Sequence, residues 1–266
     1  MDLSRRRLLS GLVAITAAAA GTRWAFTSRP GPIGSASVPA GSPTTAAQDP
    51  PSTIAAPAVP TTTAVPTTTS TEPAPAVEIE VIGREGWGAE PVRGSYVEHR
   101  PARITVHHTQ AVLGDNREAP ARFRQHQRLH QSDRGWPDLA YHLMIDRDGN
   151  VYQGRPLDVR GDTATTYDPT GHLLPCLEGD FNLQDPTDVQ IDALVTVVAW
   201  MMSTYRIGSD LVAGHRDFAD TSCPGDRLYP RLDEIRLRAF ERSAERIELS
   251  VIEGAEAIAR VADITG

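Results

Sequence analysis

Two histidines and one cysteine stand in short polar segments of this chain. They are His107 in Val-His-His-Thr at 106–109, His215 in Gly-His-Arg-Asp at 214–217, and Cys223 in Thr-Ser-Cys-Pro-Gly at 221–225. Imidazole nitrogen and thiolate sulfur are preferred zinc ligands, and three protein ligands leave a fourth position for water. Zinc-bound water has a pKa of about 7 and attacks a carbonyl carbon at neutral pH. These residue types therefore indicate a catalytic metal site.

Spacing alone leaves this assignment open. His107 and His215 are more than 100 residues apart, whereas local zinc motifs carry their ligands a few residues from one another. A His-His-Thr sequence is also typical of the polar end of a strand. A metal site therefore requires a fold that brings the three segments together.

The rest of the chain carries the patterns of an α/β domain. Apolar runs predict strands, namely an edge strand at 77–81, an inner strand at 104–107, further strands at 139–145 and 173–177, and a short buried strand at 211–213. Asp-Gly at 148–149 predicts a hairpin into 151–152. Helical spacing predicts helices at 117–130, 187–205 and 228–262. Together they predict a single domain with a central mixed β-sheet flanked by helices.

The first 77 residues differ in composition from the rest. The sequence Ser-Arg-Arg-Arg-Leu-Leu at 4–9, followed by an apolar run to Ala20, is typical of a signal peptide. Its arginine and leucine order resembles a twin-arginine signal, with an ordinary Sec signal as the alternative. We therefore expect a twin-arginine-like signal peptide at 1–26 and a disordered linker rich in Pro, Thr and Ala at 27–77.

Charge restricts the partners of the folded part. The whole chain has a net charge of −8 and contains no lysine, so that all 26 basic residues are arginine. Residues 1–77 carry five arginines against three acidic residues, a charge of +2, which leaves −10 for residues 78–266. An acidic domain argues against nucleic acid as a partner, and lysine is excluded as a catalytic group.

Five motifs, in this order, resemble the N-acetylmuramoyl-L-alanine amidase family, which includes the peptidoglycan recognition proteins and phage T7-type lysozyme. They are Arg-x-x-Trp-Gly-Ala at 84–89, Val-His-His-Thr at 106–109, Gly-Trp-x-Asp-x-x-Tyr-His at 135–142, Asp-Gly-x-Val-Tyr-x-Gly-Arg at 148–155, and Gly-His-Arg-Asp at 214–217 with Thr-x-Cys-Pro-Gly at 221–225. The resemblance runs to about Leu232 and implies a zinc amidase domain at 78–240, followed by a C-terminal helical extension at 241–266.

The resemblance also implies roles for individual residues. His107, His215 and Cys223 match the family's three zinc ligands, so Zn²⁺ is the expected cofactor. Tyr141 matches a catalytic tyrosine beside the metal-bound water. Thr221 matches a position that holds lysine in the phage enzyme and threonine in active recognition proteins, and a chain without lysine is expected to use threonine.

Two segments depart from the family pattern. A related branch, the cytosolic anhydro-muropeptide amidases, uses a glutamate base where this chain has Cys176, and we regard Glu178 as a weak candidate for that role. Residues 158–172 are long and polar and lack the usual Ala-Trp-His-Ala string. In an exported protein Cys176 and Cys223 also have a disulfide as an alternative, although the metal role of Cys223 and a buried position for Cys176 are the preferred interpretation.

The remaining histidines receive structural interpretations. His108 is expected to form hydrogen bonds around the metal site rather than to bind the metal. His130 and His142 are expected to be structural. The surface is the expected location of His99, His126 and His172.

The implied reaction is zinc-dependent hydrolysis of the amide between N-acetylmuramic acid and L-alanine in peptidoglycan. The alternatives are a non-catalytic peptidoglycan receptor on the same fold and a zinc hydrolase that cuts another wall peptide bond. Because Cys223 and Tyr141 are both present, the enzyme is favoured over the receptor. We expect a monomer that is exported, secreted or associated with the cell wall, with a muramyl peptide as partner and no membrane span after processing.

Overall fold

The computed structural model describes residues 76–266, and the signal peptide and nearly all of the linker predicted from sequence lie outside this range. The described residues form eight strands and five α-helices, which are β1 (Val77–Ile82), α1 (Arg84–Trp87), β2 (Arg103–His108), α2 (Ala119–Ser132), β3 (Leu143–Ile145), β4 (Val151–Gln153), β5 (His172–Leu173), β6 (Pro175–Leu177), α3 (Asp188–Tyr205), β7 (Val212–Gly214), α4 (Leu232–Arg242), β8 (Ile247–Ile252) and α5 (Gly254–Thr265).

The strands form one mixed sheet, as the sequence predicts. Its order is β5-β2-β6-β3-β4-β1-β8, with β7 also paired to β2. Only the β3–β4 hairpin is antiparallel among these pairs, and the others are parallel. β5 and β6 pair with successive parts of β2 in the same register. Arg103 pairs with His172, and His107 pairs with Cys176.

Both faces of the sheet are buried beneath helices. Along β1, Val81 belongs to the apolar cluster that includes α3 and α4, whereas Ile82 belongs to the cluster that includes α1, α2 and α5. On β3, Ile145 likewise belongs to the cluster with α3 and α4, and Met144 belongs to the cluster with α1, α2 and α5. This alternation follows from the two-residue period of a strand, and the prediction of a sheet flanked by helices is confirmed.

The longest helix, α3, has a well-defined start. The Thr187 hydroxyl accepts a hydrogen bond from the N–H of Gln190, and the Gln190 side chain accepts one from the N–H of Thr187. This reciprocal capping satisfies two backbone donors that a helix leaves unpaired at its start. The sequence prediction of a helix at 187–205 is therefore confirmed to within one residue.

Two predictions at the ends of the domain are wrong. β1 is not an edge strand, because β8 pairs with it along its whole length, from Val77 with Ile247 to Ile82 with Ile252. The helix predicted over 228–262 is interrupted by β8, where Ile247 and Leu249 are partly buried while Glu248 and Ser250 are exposed. The C-terminal extension therefore contributes a strand to the sheet in addition to a helix.

The strand predicted at 139–145 is shorter than expected. It begins at Leu143 rather than at 139, so that residues 139–142 lie outside the regular strand. Separately, no helix within residues 76–266 combines the length and apolarity needed to cross a membrane.

Candidate metal centre

The strand β2 and the turn after β7 bring the two histidines together. His107 lies near the end of β2, and β7 pairs with β2 from Ile104 with Val212 to Val106 with Gly214. His215 directly follows Gly214, and its ring centroid lies 4.5 Å from that of His107. Parallel pairing of two distant strands therefore places side by side two histidines that the sequence separates.

Cys223 enters the same site from the loop after His215. The N–H of Arg216 donates to the Cys223 carbonyl at 3.0 Å, which folds the loop back on the turn. The N–H of His108 points at the Cys223 sulfur, 3.5 Å away. A backbone donor in this position stabilises a thiolate. His108 thus contributes a hydrogen bond to a ligand candidate, and its own Nδ1 accepts from the N–H of Phe181.

The donor set fits a zinc ion. One ligand atom from each of His107, His215 and Cys223 lies within 4.8 Å of the others, and all three residues are buried. Tetrahedral zinc with Zn–S of about 2.3 Å and Zn–N of about 2.0–2.1 Å separates sulfur and nitrogen by about 3.6 Å. The Cys223 sulfur lies 3.6 Å from Nδ1 of His107. Two imidazoles and one thiol within 4.8 Å of one another are a suitable donor set for a three-ligand zinc site.

Burial sets the protonation states of these groups. It holds the pKa of His107 well below its usual value and lowers the pKa of His215 to about 4, so both imidazoles are neutral at pH 7. Burial raises the pKa of the Cys223 thiol to about 12. Neutral imidazoles are ready to coordinate a metal, whereas the thiol releases a proton when it does so.

A groove of about 390 Å³ opens beside the three residues and includes them in its lining. Tyr141 and Thr221, the two catalytic candidates from the sequence, also line this groove. The Tyr141 ring centroid is 5.3 Å from that of His107. The structure therefore brings all five predicted site residues to one cavity.

The hydroxyls of Tyr141 and Thr221 differ in their surroundings and in their hydrogen bonds. Burial, followed by the nearby thiols of Cys176 and Cys223, raises the pKa of Tyr141 well above its usual value. Tyr141 is therefore a neutral phenol at pH 7 and serves better as a hydrogen-bond donor than as a base. The Thr221 oxygen accepts from the N–H of Cys223 at 3.2 Å, which leaves its hydrogen available to a ligand in the groove.

Three residues in the site were not identified from the sequence. The Thr163 and Thr165 oxygens lie 3.3 and 2.8 Å from Nε2 of His215, and the Tyr167 hydroxyl lies 3.4 Å from Nε2 of His107. All three belong to the 158–172 segment that departs from the family pattern. The only signal in the sequence was the unusual number of hydroxyl side chains in that segment.

Glu178 has a different location from the one its candidate role requires. Its carboxylate is fully buried and lies 3.1 Å from Nε2 of His126 in α2. Within residues 76–266 no hydrogen bond connects it to the three candidate ligands. Cys176, at the position of the glutamate base in the related branch, pairs with His107 across β2 and β6 and is a free thiol, as is Cys223.

The surface positions expected for His99 and His172 are wrong, and His126 is only partly exposed. His99 and His172 are buried, with 9% and 6% of their surface exposed. The His126 side chain is 17% exposed because it contacts the buried Glu178. These polar side chains face polar partners inside the domain, so hydrophobic patterning did not reveal their burial.

The fold and site together define an α/β domain with a His/His/Cys centre in an open groove. A family model described as N-acetylmuramoyl-L-alanine amidase matches residues 98–226. Peptidoglycan recognition protein 1 of Mus musculus is 32% identical over 155 residues, which cover 56% of this chain and 84% of the relative. Peptidoglycan-recognition protein LB of Drosophila melanogaster is 30% identical over 156 residues, which cover 57% of this chain and 67% of the relative.

A solved structure agrees with these matches. A variant of Drosophila PGRP-LB in complex with tracheal cytotoxin is 28% identical, has a TM-score of 0.51, and is matched over 57% of this chain and 92% of that chain. The chain belongs to the N-acetylmuramoyl-L-alanine amidase family, together with the peptidoglycan recognition proteins. The family model ends at residue 226, so that α4, β8 and α5 lie beyond it.

Proposed function

We propose that this protein is a zinc-dependent N-acetylmuramoyl-L-alanine amidase that hydrolyses the bond between N-acetylmuramic acid and L-alanine in peptidoglycan. The observation that carries the proposal is the grouping of His107, His215 and Cys223 within 4.8 Å, in a groove that Tyr141 and Thr221 also line. Family membership supports the substrate class, and the similar Drosophila protein was solved with tracheal cytotoxin bound.

The chemistry follows from the groups in the groove. Zinc held by the three ligands would polarise the scissile carbonyl and supply an activated water. The neutral phenol of Tyr141 donates a hydrogen bond that orients the attacking water or the substrate amide. The Thr221 hydroxyl donates to the oxygen on which negative charge develops. Donors of this kind act strongly because they are already oriented before the reaction.

A non-catalytic peptidoglycan receptor is the alternative from another class. The presence of both Cys223 and Tyr141 favours the enzyme, since a receptor needs neither a metal ligand nor a hydroxyl beside it. A zinc hydrolase that cuts another peptide bond of the wall shares the metal site and differs only in how the groove places its substrate.

The N-terminal segment completes the proposal. We propose that residues 1–26 direct export across the cytoplasmic membrane and that residues 27–77 connect the domain to that segment. The protein would then act as a monomer in the cell wall or after secretion. Recovery of the domain from the cell-wall fraction, and its loss from that fraction when Arg5 and Arg6 are replaced by lysine, would support this route.

Digestion of purified peptidoglycan by the full chain tests the reaction. The products are identified by mass spectrometry, with and without a zinc chelator, and Cys223→Ser is the inactive control. Chelator-sensitive release of stem peptides with an N-terminal L-alanine, from intact glycan, is the expected result. Chelator-sensitive cuts elsewhere in the peptide would show that the protein is a zinc hydrolase of a different bond. Binding without release by the zinc-loaded protein would establish the receptor instead.

A further inference from the structure

The segment at 158–172 passes beside the candidate ligands and is attached to the domain at both ends. Near its start, the guanidinium of the buried Arg155 forms an ion pair with Asp162. At its end, Nδ1 of His172 lies 2.8 Å from the Thr105 hydroxyl on β2. Because each attachment is a side-chain contact with the sheet or its turns, the hydroxyls between them have defined positions.

Two of these hydroxyls contact the candidate ligands on their Nε2 atoms. The Tyr167 oxygen is 3.4 Å from Nε2 of His107, whose other nitrogen, Nδ1, is 3.6 Å from the Cys223 sulfur. The Thr165 oxygen is 2.8 Å from Nε2 of His215. Each histidine therefore has a hydroxyl on one nitrogen and keeps the other for a metal.

The two hydroxyls are themselves oriented. The Thr165 N–H donates to the Thr163 oxygen at 3.2 Å, and the two threonine oxygens are 2.8 Å apart. The Tyr167 ring packs on His215 and on Phe218, with centroid distances of 5.1 and 5.6 Å.

A histidine that binds a metal is usually held by a hydrogen bond from its second nitrogen, which fixes both the tautomer and the ring orientation. We propose that Thr165 and Tyr167 are positioning residues of this kind. Each accepts a hydrogen bond from an Nε2–H group, which keeps Nδ1 of His215 and His107 unprotonated and directed at the metal. The proposal rests on the proposed function, because it takes His107, His215 and Cys223 to be zinc ligands.

Metal affinity of the full chain tests the proposal without reference to turnover. Zinc is titrated into metal-free protein in competition with a chromophoric chelator, for the wild type, Thr165→Val and Tyr167→Phe. Both changes remove a hydroxyl and nearly preserve shape. We expect each to weaken zinc binding by about 10- to 100-fold. Thr165→Ser restores the hydroxyl and is expected to restore affinity.

Controls separate this proposal from the zinc site itself. Thr166→Val changes the exposed neighbour of Thr165 and should retain wild-type affinity, whereas Cys223→Ala should lose zinc. Substitution with Co²⁺ gives an absorption spectrum that reports the geometry of the ligands, and it should change in Thr165→Val and Tyr167→Phe. Affinity and spectrum equal to wild type in both variants, with zinc lost in Cys223→Ala, would overturn only the positioning roles. A wild-type protein that binds no zinc would overturn the proposed function as well.

Discussion

The sulfur of Cys223 lies 3.6 Å from Nδ1 of His107, although 116 positions separate the two residues in sequence. The parallel pairing of β2 with β7 and the return of the following loop produce this contact. Its length matches the sulfur–nitrogen separation of about 3.6 Å in tetrahedral zinc coordination. The backbone thus places the donors at the spacing of a metal site.

Replacement of Cys223 by serine should remove both zinc and amidase activity. A serine hydroxyl is a poor zinc ligand because it does not lose its proton at neutral pH, whereas the thiolate is a strong one. Zinc content, measured by elemental mass spectrometry, should fall to that of chelator-treated protein. Cys176→Ala is the matched control, since this buried thiol is not in the proposed ligand set and its loss should leave zinc bound. Full zinc occupancy in Cys223→Ser would contradict the assignment.

Tyr141→Phe should separate metal binding from turnover. The ring that packs near His107 is retained while the phenol donor is lost, so zinc content should be unchanged. Turnover should fall by about 100- to 1000-fold, as for the loss of one oriented donor. Rates of release of stem peptide from peptidoglycan give the measurement, with Tyr205→Phe on α3 as a remote control. A wild-type rate in Tyr141→Phe would remove this residue from the mechanism.

Loss of the Thr221 hydroxyl, like loss of the Tyr141 hydroxyl, should lower turnover. Thr221→Val keeps the branched shape but cannot donate to a developing oxyanion, so kcat should fall by about 100-fold or more. Because Thr221 also accepts the N–H of Cys223, zinc affinity is measured in parallel. Recovery of kcat in Thr221→Ser would confirm a hydroxyl role, and failure of serine to recover it would favour a purely structural contact.

The sequence identified residues that form motifs, and it missed residues whose partners are distant. His107, Tyr141, His215, Thr221 and Cys223 stand in short strings that the family shares, and all five line one groove. Thr165 and Tyr167 stand in no such string, and their histidine partners are 50 and 60 positions away. Which hydroxyl reaches which nitrogen depends on the path of a long loop, and no local pattern specifies that path.

The C-terminal strand was missed for a related reason. Arginines and glutamates around 236–246 continue a helical pattern, and the alternation in Ile247–Ile252 spans only six residues. Its pairing with β1 is a contact between opposite ends of the domain. The same long-range pairing explains why β1 resembles an edge strand in sequence but is an interior strand in the structure.

Two buried histidines serve as neutral acceptors, which has a consequence for acid stability. Nδ1 of His142 accepts from the N–H of Leu174 at 2.9 Å, and Nδ1 of His130 accepts from the N–H of Ala140 at 3.1 Å. Protonation of either Nδ1 would remove its acceptor. Burial lowers the pKa of each to about 3, from a value of about 6.5 in an unfolded chain.

Stability should therefore fall as the pH drops below about 6.5. Above that value both histidines are neutral in the folded and unfolded states, and their contribution is fully present. Between about 6.5 and 3 the unfolded state binds protons that the native state does not, which favours unfolding by up to about 1.4 kcal/mol per pH unit for each histidine. Urea unfolding at pH 7, 6 and 5, with chelator present, gives the slope. His142→Gln should reduce the dependence of the unfolding free energy on pH by the contribution of one histidine. An unchanged dependence would contradict this account.

Close packing of α5 on α1 gives a test of the C-terminal extension. A Cβ on Gly86 would lie 2.8 Å from the carbonyl oxygen of Ala257 and 2.7 Å from Cγ2 of Ile82. Ala257 is fully buried in α5, so this contact exists only if the extension is docked. Overpacking of this kind costs about 1–3 kcal/mol, and Gly86→Ala should lower the free energy of unfolding by that amount.

The sign of the change in the free energy of unfolding caused by Gly86→Ala distinguishes a docked extension from a detached one. In an unobstructed position, alanine for glycine stabilises by about 0.4–1 kcal/mol through the unfolded state. Gly114→Ala is the matched control, because its Cβ would meet nothing within 4 Å, and it should be neutral or slightly stabilising. If α5 were detached in solution, the steric conflict at Gly86 would be reduced to the contact with Ile82, and removal of residues 245–266 would leave stability unchanged. With α5 docked, the same truncation exposes β1 and α1 and should destabilise the domain more than Gly86→Ala does.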